Sequence, residues 1–364
     1  MKKIVFKTTL IGFLLLAAFL VYVGFFGWNI KAVAYEPPEI IEFAGALAPN
    51  ERLAGAEIFG KGKVLGGEDV AVDSQGRIYT GSVVDGKIYR ISPNDNNRIE
   101  EFADLGRMPV GLKFDASGNL IVCHNPKGLL SIGTDGKMTV LTDSAEDVPF
   151  GFTDDLDIAS DGKIYFSDAT TKFTGNKGNL SWEYEIMEAK PYGRLLVYDP
   201  ETRQTKVLLR DLYFANGVSL SKNEDFVVVL ETYRFRVVRY WLRGEKAGSW
   251  DYLNENLPGY PDGLMQNGRG EFWIAIPTKR NALADFFQPK PFFKNIITVL
   301  PKSWWVRPEP YGLVIKMDEN GQILESLHDP SGNLSFITNA VEQRGFLYLA
   351  TLKGDWIARV KLAE

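Results

Sequence analysis

The chain has 364 residues, a formal net charge of −5 from 41 basic and 46 acidic side chains, and 13% aromatic residues. Its charges are interspersed and form no basic stripe able to neutralise phosphates, which argues against a nucleic-acid partner. One cysteine, Cys123, excludes an internal disulfide, and two histidines with one cysteine cannot build a structural zinc cage, so any metal is expected on oxygen ligands.

Residues 1–8 carry Lys2, Lys3 and Lys7, and residues 9–28, TLIGFLLLAAFLVYVGFFGW, run without a charge for about the length a helix needs to cross a bilayer. One N-terminal transmembrane helix is expected there. The lysines before it, against only Lys31 close behind, place residues 1–8 in the cytoplasm and the body of this single-pass protein on the extracytoplasmic side, whether periplasmic, extracellular or lumenal. A cleaved signal peptide is the competing reading, with Ala32 and Ala34 as small residues, but the apolar run exceeds the usual h-region. Residues 29–53 are expected to be a tether.

Over 54–364 the sequence becomes a succession of β-rich runs punctuated by Gly, Asp and Asn, with no long amphipathic pattern until about residue 281. The recurring phrase is an alternating strand, a turn, a second strand such as RIYTG, NLIVC, KIYFSD, FVVVL, EFWIA or FLYLA, and a third such as GKIYRI or GRLLVYD. Six copies predict an all-β, six-bladed β-propeller, because radial closure buries the faces of the blades and leaves few exposed edges. The blades begin near residues 68, 110, 154, 216, 262 and 338. The last has no room for a fourth strand before Glu364, so the segment 54–64 is expected to supply it and close the ring.

A smaller insertion, 171–192, carries no chemistry that can be read. The larger one, 279–309, mixes Phe286, Phe287, Phe292, Phe293, Ile296, Ile297, Trp304 and Trp305 with Lys290, Lys294, Lys302 and Arg307, resembling an interfacial helix with a cationic polar face. It is expected to touch the bilayer, to roof the site, or simply to pack on the propeller.

Glu68, Val110, Asp154, Asn216 and Asp262 each lie eight positions ahead of a turn residue, namely Gly76, Gly118, Gly162, Glu224 and Gly270. The innermost strands of a propeller run along a central channel, so equal repeat positions form a ring. Glu68, Asp154 and Asp262 would bring three negative charges together, which is unfavourable unless a cation or proton compensates. Asn216 adds a neutral oxygen. An all-oxygen set suits Ca2+, with magnesium or manganese as alternatives. Any one of these acids taken alone would more often serve a turn or cap, but the shared offset favours a metal site. His124 is expected to be a structural or rim histidine, with Cys123 on the opposite face in the core.

At GGEDVAVD, DDLDIASDGKIYFSD, FANGVSLS, LPGYPDGL and GFLYLATL the chain resembles the six-bladed propeller superfamily of gluconolactonases, paraoxonases and strictosidine synthase-like proteins, over about residues 55–362. The N-terminal apolar run and the PKPFFKN insertion look like its membrane-associated strictosidine synthase-like branch. The resemblance implies catalytic calcium ligands at Glu68, Asp154, Asn216 and Asp262. Two departures stand out: Asp154 replaces a common Asn, and Gly263 follows Asp262 where an Asn is common. A second, structural calcium of the paraoxonase kind would map to Asp69, Asp155 and the backbone carbonyl of Leu112. Val110 stands where paraoxonase-like enzymes carry a histidine, which removes that base. Alignment through Glu342 and Gly345 places Thr338 where strictosidine synthase uses a glutamate, so that condensation is not expected.

These readings converge on a membrane-anchored, calcium-dependent hydrolase of small-molecule lactones or related esters, gluconolactonase- or arylesterase-like, with the metal in the central channel. Asp262, after the Pro-constrained turn GYPDG, is the expected base or nucleophile. The alternative is a non-catalytic, calcium-stabilised, membrane-anchored propeller acting as a binding or scaffold protein, since no other base is recognisable.

Overall fold

In the computed structural model, which describes residues 2–26, 29–174 and 181–362 without the side chains of 2–6 and 24–26, each repeated phrase begins as an antiparallel hairpin with a left-handed turn residue. Gly76, Gly118, Gly162 and Gly270 take φ of 80°, 83°, 84° and 87°, a region that glycine enters without steric penalty. Glu224 takes the same place at φ 57°. Its carboxylate accepts hydrogen bonds from the Ser160 N–H (2.6 Å) and hydroxyl (2.9 Å) and pairs with Arg243, which offsets the strain.

Four separate sheets of four strands are headed by Pro109–Phe114, Thr153–Ile158, Ala215–Leu220 and Leu264–Gln266. An eight-stranded sheet divides into two further groups, headed by Gly67–Val72 and Ile337–Gln343, whose only residue pair in common is Gly67 with Thr351. The six heading strands touch one another in chain order and the last returns to the first, closing a ring. The outermost strand of the last group is Glu57–Phe59, antiparallel to Ile357–Lys361, so the N-terminal strand completes the C-terminal group as the sequence predicted. Apolar side chains fill the spaces between adjacent groups: Val110, Cys123 and Leu129 of one pack with Leu156, Phe166 and Leu196 of the next. The result is an all-β, propeller-like unit made of Pro38–Trp182, Pro191–Arg280 and Pro308–Glu364.

A second compact unit gathers Met1–Pro37, Glu183–Lys190 and Asn281–Arg307. Helix α1 covers Lys2–Phe26, α2 Glu183–Glu188, α3 Ala282–Phe287 and α4 Pro291–Val299. The sequence sets the ends of α3 and α4: Asn281 caps α3 by accepting from the Leu283 and Ala284 N–H groups, and Pro291 opens α4 where no intrahelical donor is needed. Among the described residues no helix is long and apolar enough to cross a membrane. The span expected over 9–28 is helical through Phe26, and residues 27–28 lie outside the described residues.

Two expectations need correction. The segment 29–53 is not a loose tether, because its backbone is hydrogen-bonded along both halves. In the helical unit Val33 N–H donates to the Glu188 carbonyl (3.0 Å) and Tyr35 N–H to that of Gln288 (3.1 Å). In the β unit Leu53 N–H donates to the His328 carbonyl, His328 N–H to Asn50 Oδ1, and the Ser326 hydroxyl to the Ala46 carbonyl. Lys294, assigned to an exposed polar face, is fully buried: its ammonium donates to the Val33 carbonyl (2.7 Å) and to Gln288 Oε1 (3.3 Å), groups that a helical wheel cannot reveal.

Candidate metal centre and active site

In five of the six heading strands the pairing register slips at the ring position, between Gly67 and Val70, Pro109 and Leu112, Thr153 and Leu156, Ala215 and Val218, and Ile337 and Asn339. Such a bulge sets two consecutive residues opposite one, suspending strict in-out alternation. Both Glu68 and Asp69, and both Asp154 and Asp155, are therefore buried polar groups in one electrostatic neighbourhood at the centre of the ring. Glycines follow the ring residue in three strands and let neighbouring backbones close up. A Cβ at Gly111 would lie 2.6 Å from the Asp154 carbonyl oxygen, one at Gly217 2.5 Å from that of Asp262, and one at Gly263 2.7 Å from that of Thr338.

The ring residues themselves form the upper tier. Glu68, Asp154 and Asn216 are buried, whereas Asp262 keeps part of its surface exposed. Asn216 Nδ2 donates to Asp262 Oδ1 at 2.6 Å, and the Thr338 hydroxyl donates to the Glu68 carbonyl at 2.6 Å, stitching the last group to the first. Thr338 thus has a structural task. Val110 turns its side chain into the apolar core rather than toward the acids.

Electrostatics bind the tier together. Burial pushes the Glu68 carboxyl well above its ordinary range, and the charges of Asp262 and Asp154 push it further. Asp154 is raised by burial, then by Asp262, Asp155 and Asp168. Asp262 is pushed up to about 7, again by burial first, with the Asn216 amide opposing and the Asp155 charge adding. No cationic side chain is among the groups that set these three. As they stand, the acids are spread: among the described residues no three or more His, Cys, Asp or Glu side chains are gathered closely enough to hold an ion. Their donor set nonetheless fits a hard divalent cation: three carboxylates and one amide, all oxygen, with no cationic side chain among the largest influences on the three acids.

One residue further along lies a second ring, Asp69, Gly111, Asp155, Gly217, Gly263 and Asn339. Asp69 accepts from the Leu112 N–H (2.6 Å), the Val70 N–H (2.5 Å) and the Asn339 amide; Asp155 accepts from the Val218 N–H (2.9 Å) and the Leu156 N–H (2.8 Å). The expected second-calcium residues are thus adjacent, but Leu112 meets Asp69 through its N–H. Asn339 was missed by the sequence reading. It also answers the departure at Gly263, since a Cβ there would lie 2.7 Å from Asn339 Cγ: the amide enters from the neighbouring strand. Counting one place beyond the ring would have found it. Below this level Lys113 pairs with Asp157, which also accepts from the Ser219 hydroxyl and the Leu220 N–H.

Asp168 supports the upper tier from outside. Buried beside Arg194 (2.6 Å), it accepts from the Gly151 and Phe152 N–H groups, fixing the turn that delivers Asp154. His124 is fully buried, its pKa lowered to about 4 by burial and by the charge of Lys127, and its Nδ1 accepts from the Lys127 N–H. It closes the end of its strand, and its Nε2 is buried without a hydrogen-bond partner among the described residues. Cys123 sits in the apolar core.

Comparison with known proteins agrees with this architecture. The strictosidine synthase family model matches residues 154–245, and the model of the strictosidine synthase-like N-terminal region matches residues 45–91. Protein STRICTOSIDINE SYNTHASE-LIKE 7 of Arabidopsis thaliana is 35% identical over 332 residues, covering 87% of this chain and 85% of that protein. Adipocyte plasma membrane-associated protein of Rattus norvegicus is 34% identical over 352 residues, 90% of each. Among solved structures, the fold is similar to a gluconolactonase from Xanthomonas campestris, with a TM-score of 0.64 at 17% identity, covering 93% of this chain and 99% of that one. It is also similar to regucalcin, a calcium-binding protein of Agrobacterium tumefaciens, with a TM-score of 0.56 at 12% identity, covering 82% and 90%.

Proposed function

The chain belongs to the strictosidine synthase-like family, and from that premise we propose that it is a membrane-anchored, calcium-dependent hydrolase of lactones or related esters, built on a six-bladed propeller. The observation that carries this reading is the ring of Glu68, Asp154, Asn216 and Asp262, with no cationic side chain among the largest influences on its three acids. These four residues would hold the ion. A calcium ion bound there supplies Lewis-acid polarisation of the ester carbonyl and a counter-charge for the oxyanion.

The remaining chemistry falls to Asp262. It is the partly exposed member, and its Oδ1 is held by the Asn216 amide. It takes a proton from an attacking water as the new carbon–oxygen bond forms. It returns that proton to the ring or ester oxygen as the old bond breaks, so lactone plus water gives hydroxy acid. Thr338 offers no acid or base to the site, in keeping with hydrolysis rather than condensation. The test is a panel of lactones, phenyl esters and phosphotriesters assayed with the full chain, with and without a chelator. Hydrolysis that stops on chelation and returns with calcium is expected. Calcium-dependent thermal stabilisation with no hydrolysis of any member would instead leave a binding protein.

Membrane attachment belongs to the same proposal. On α1, Leu10, Ile11, Phe13, Leu14, Leu15, Leu16, Leu20 and Val21 are all more than 45% exposed, on every side of the helix, a pattern suited to lipid. The same unit exposes Leu283, Phe286, Phe292, Phe293 and Trp304, with the Lys290 ammonium 3.4 Å from the Phe286 ring centroid. Aromatic and lysine side chains together suit the headgroup level of a bilayer. We place residues 1–8 in the cytoplasm and the β unit on the other side. With the full chain in vesicles of acyl-brominated lipid, tryptophan fluorescence should be quenched, and Trp304→Phe should remove a distinct part of that quenching. Equal quenching in both proteins would contradict contact at 279–309.

A further inference from the structure

Two residues upstream of the ring, the chain carries Gly66, Met108, Phe152, Phe214, Tyr260 and Phe336; five stand immediately before a heading strand, and Tyr260 lies four residues before Leu264–Gln266. Five of the six are large and apolar or aromatic, and the Tyr260 hydroxyl is the one side-chain oxygen among them. The strands headed by Thr153 and Ala215 run in step, the Val218 and Leu220 N–H groups meeting Asp155 and Asp157 in turn, and each of the six residues lies on the N-terminal side of its ring position. Phe152 and Phe214 face one another at 6.2 Å between centroids. Phe214 is flanked by Trp182 (6.2 Å) and Tyr233 (4.7 Å), whose hydroxyl donates to the Trp182 carbonyl. Met108, Tyr260 and Phe336 each keep part of their surface exposed.

The backbone gives an independent signal. Gly66, Phe214 and Phe336 hold the same left-handed conformation, with φ of 60°, 58° and 56°. Glycine does so freely, but a bulky aromatic residue there is an outlier, and strain of this kind gathers where a site requires a particular side chain. A glycine would serve the turn better at both positions. That two phenylalanines stand there instead argues that their side chains are needed.

We propose that these residues form an apolar collar that admits esters and lactones with a hydrocarbon or aryl body and disfavours polyhydroxylated ones, a substrate class that rests on the hydrolase reading above. A sugar-acid lactone has several hydroxyls to satisfy against a single side-chain hydroxyl, that of Tyr260, at this level, whereas an alkyl or aryl group gains by burial.

The experiment is a homologous series of γ-lactones with side chains of increasing length, plus gluconolactone, assayed for kcat/KM with the full chain. In parallel, the affinity of the matching hydrolysis-resistant lactams is measured by calorimetry. Both kcat/KM and lactam affinity should rise by about fourfold per added methylene until the collar is filled, with gluconolactone below the alkyl lactones. Phe336→Gly relieves the left-handed strain, so it should fold at least as well by thermal denaturation while the dependence on chain length flattens. Met108→Ser, at a residue with ordinary backbone, should flatten it as well. Lactam affinity that rises with length while no lactone is hydrolysed would uphold the collar and overturn the hydrolase. Hydrolysis at rates independent of chain length, or fastest with gluconolactone, would overturn the collar and leave the hydrolase standing.

Discussion

Asp262→Asn is expected to lower kcat by about 10²- to 10⁴-fold, the range that a positioned acid-base group contributes, while the protein remains folded. The substitution keeps the shape of the side chain and can still meet the Asn216 amide after an amide rotation, so the 2.6 Å contact gives no reason for unfolding. It also removes one of three mutually repelling charges, so thermal stability without calcium should be unchanged or higher. Glu68→Gln should lose turnover by a different route. Glu68 is buried beneath the mouth and is assigned only to holding the ion, so raising calcium should recover part of its activity but none of that of Asp262→Asn. Saturation kinetics at several calcium concentrations distinguishes the two. Near-normal turnover in Asp262→Asn would remove Asp262 from the chemistry.

The second large effect concerns pH, calcium and stability together. Glu68, Asp69 and Asp154 have their carboxyls raised by burial and neighbouring charge, and Asp155 and Asp262 are raised to about 7. A raised carboxyl means that the folded state binds protons more tightly than the unfolded one. Its contribution is therefore fully present below the unfolded value near 4 and is lost as pH rises through the folded value. Without calcium the acids should destabilise the protein progressively as pH rises above about 4, with the share of Asp155 and Asp262 lost as pH passes about 7. A cation binds the deprotonated carboxylates, so its benefit runs the other way. Calcium at about 100 times its dissociation constant is worth about 2.7 kcal/mol, and that gain should be realised at pH 8 and largely suppressed at pH 5. Paired carboxylates elsewhere, such as Glu100 with Arg90 and Asp251 with Arg239, respond to acid in the opposite sense. The readout is therefore the difference in Tm with and without calcium at each pH. A calcium effect equal at pH 5 and pH 8 would contradict the carboxylate ring.

Much of the site was legible because the repeat carries its own ruler. Gly76, Gly118, Gly162 and Gly270 mark left-handed turns that only a small set of residues can make, and counting back from them reaches Glu68, Val110, Asp154 and Asp262. The closing strand at 57–59 was legible for a related reason: it is a strand left over before the first repeat, and it pairs with the third strand of the last. What was hidden depends on backbone geometry. The bulges that turn consecutive residues inward break the alternation on which strand reading rests, and this is why Asn339 and the glycines at 111 and 217 escaped notice. Lys294 looked solvated because its partners, the Val33 carbonyl and Gln288, come from a distant segment and a preceding helix. The segment 29–53 looked like a linker because its attachments run largely through main-chain groups, which side-chain patterns do not record.

The central claim is that Glu68, Asp154, Asn216 and Asp262 form a calcium site, and calorimetric titration of calcium into the metal-stripped full chain at pH 7.5 tests it most directly. Saturable binding is expected, weakened at least about tenfold in Glu68→Gln and in Asp154→Asn, since each removes a charged ligand from a set of three. Binding of equal strength in the wild type and Glu68→Gln, or no binding to the wild type, would contradict it.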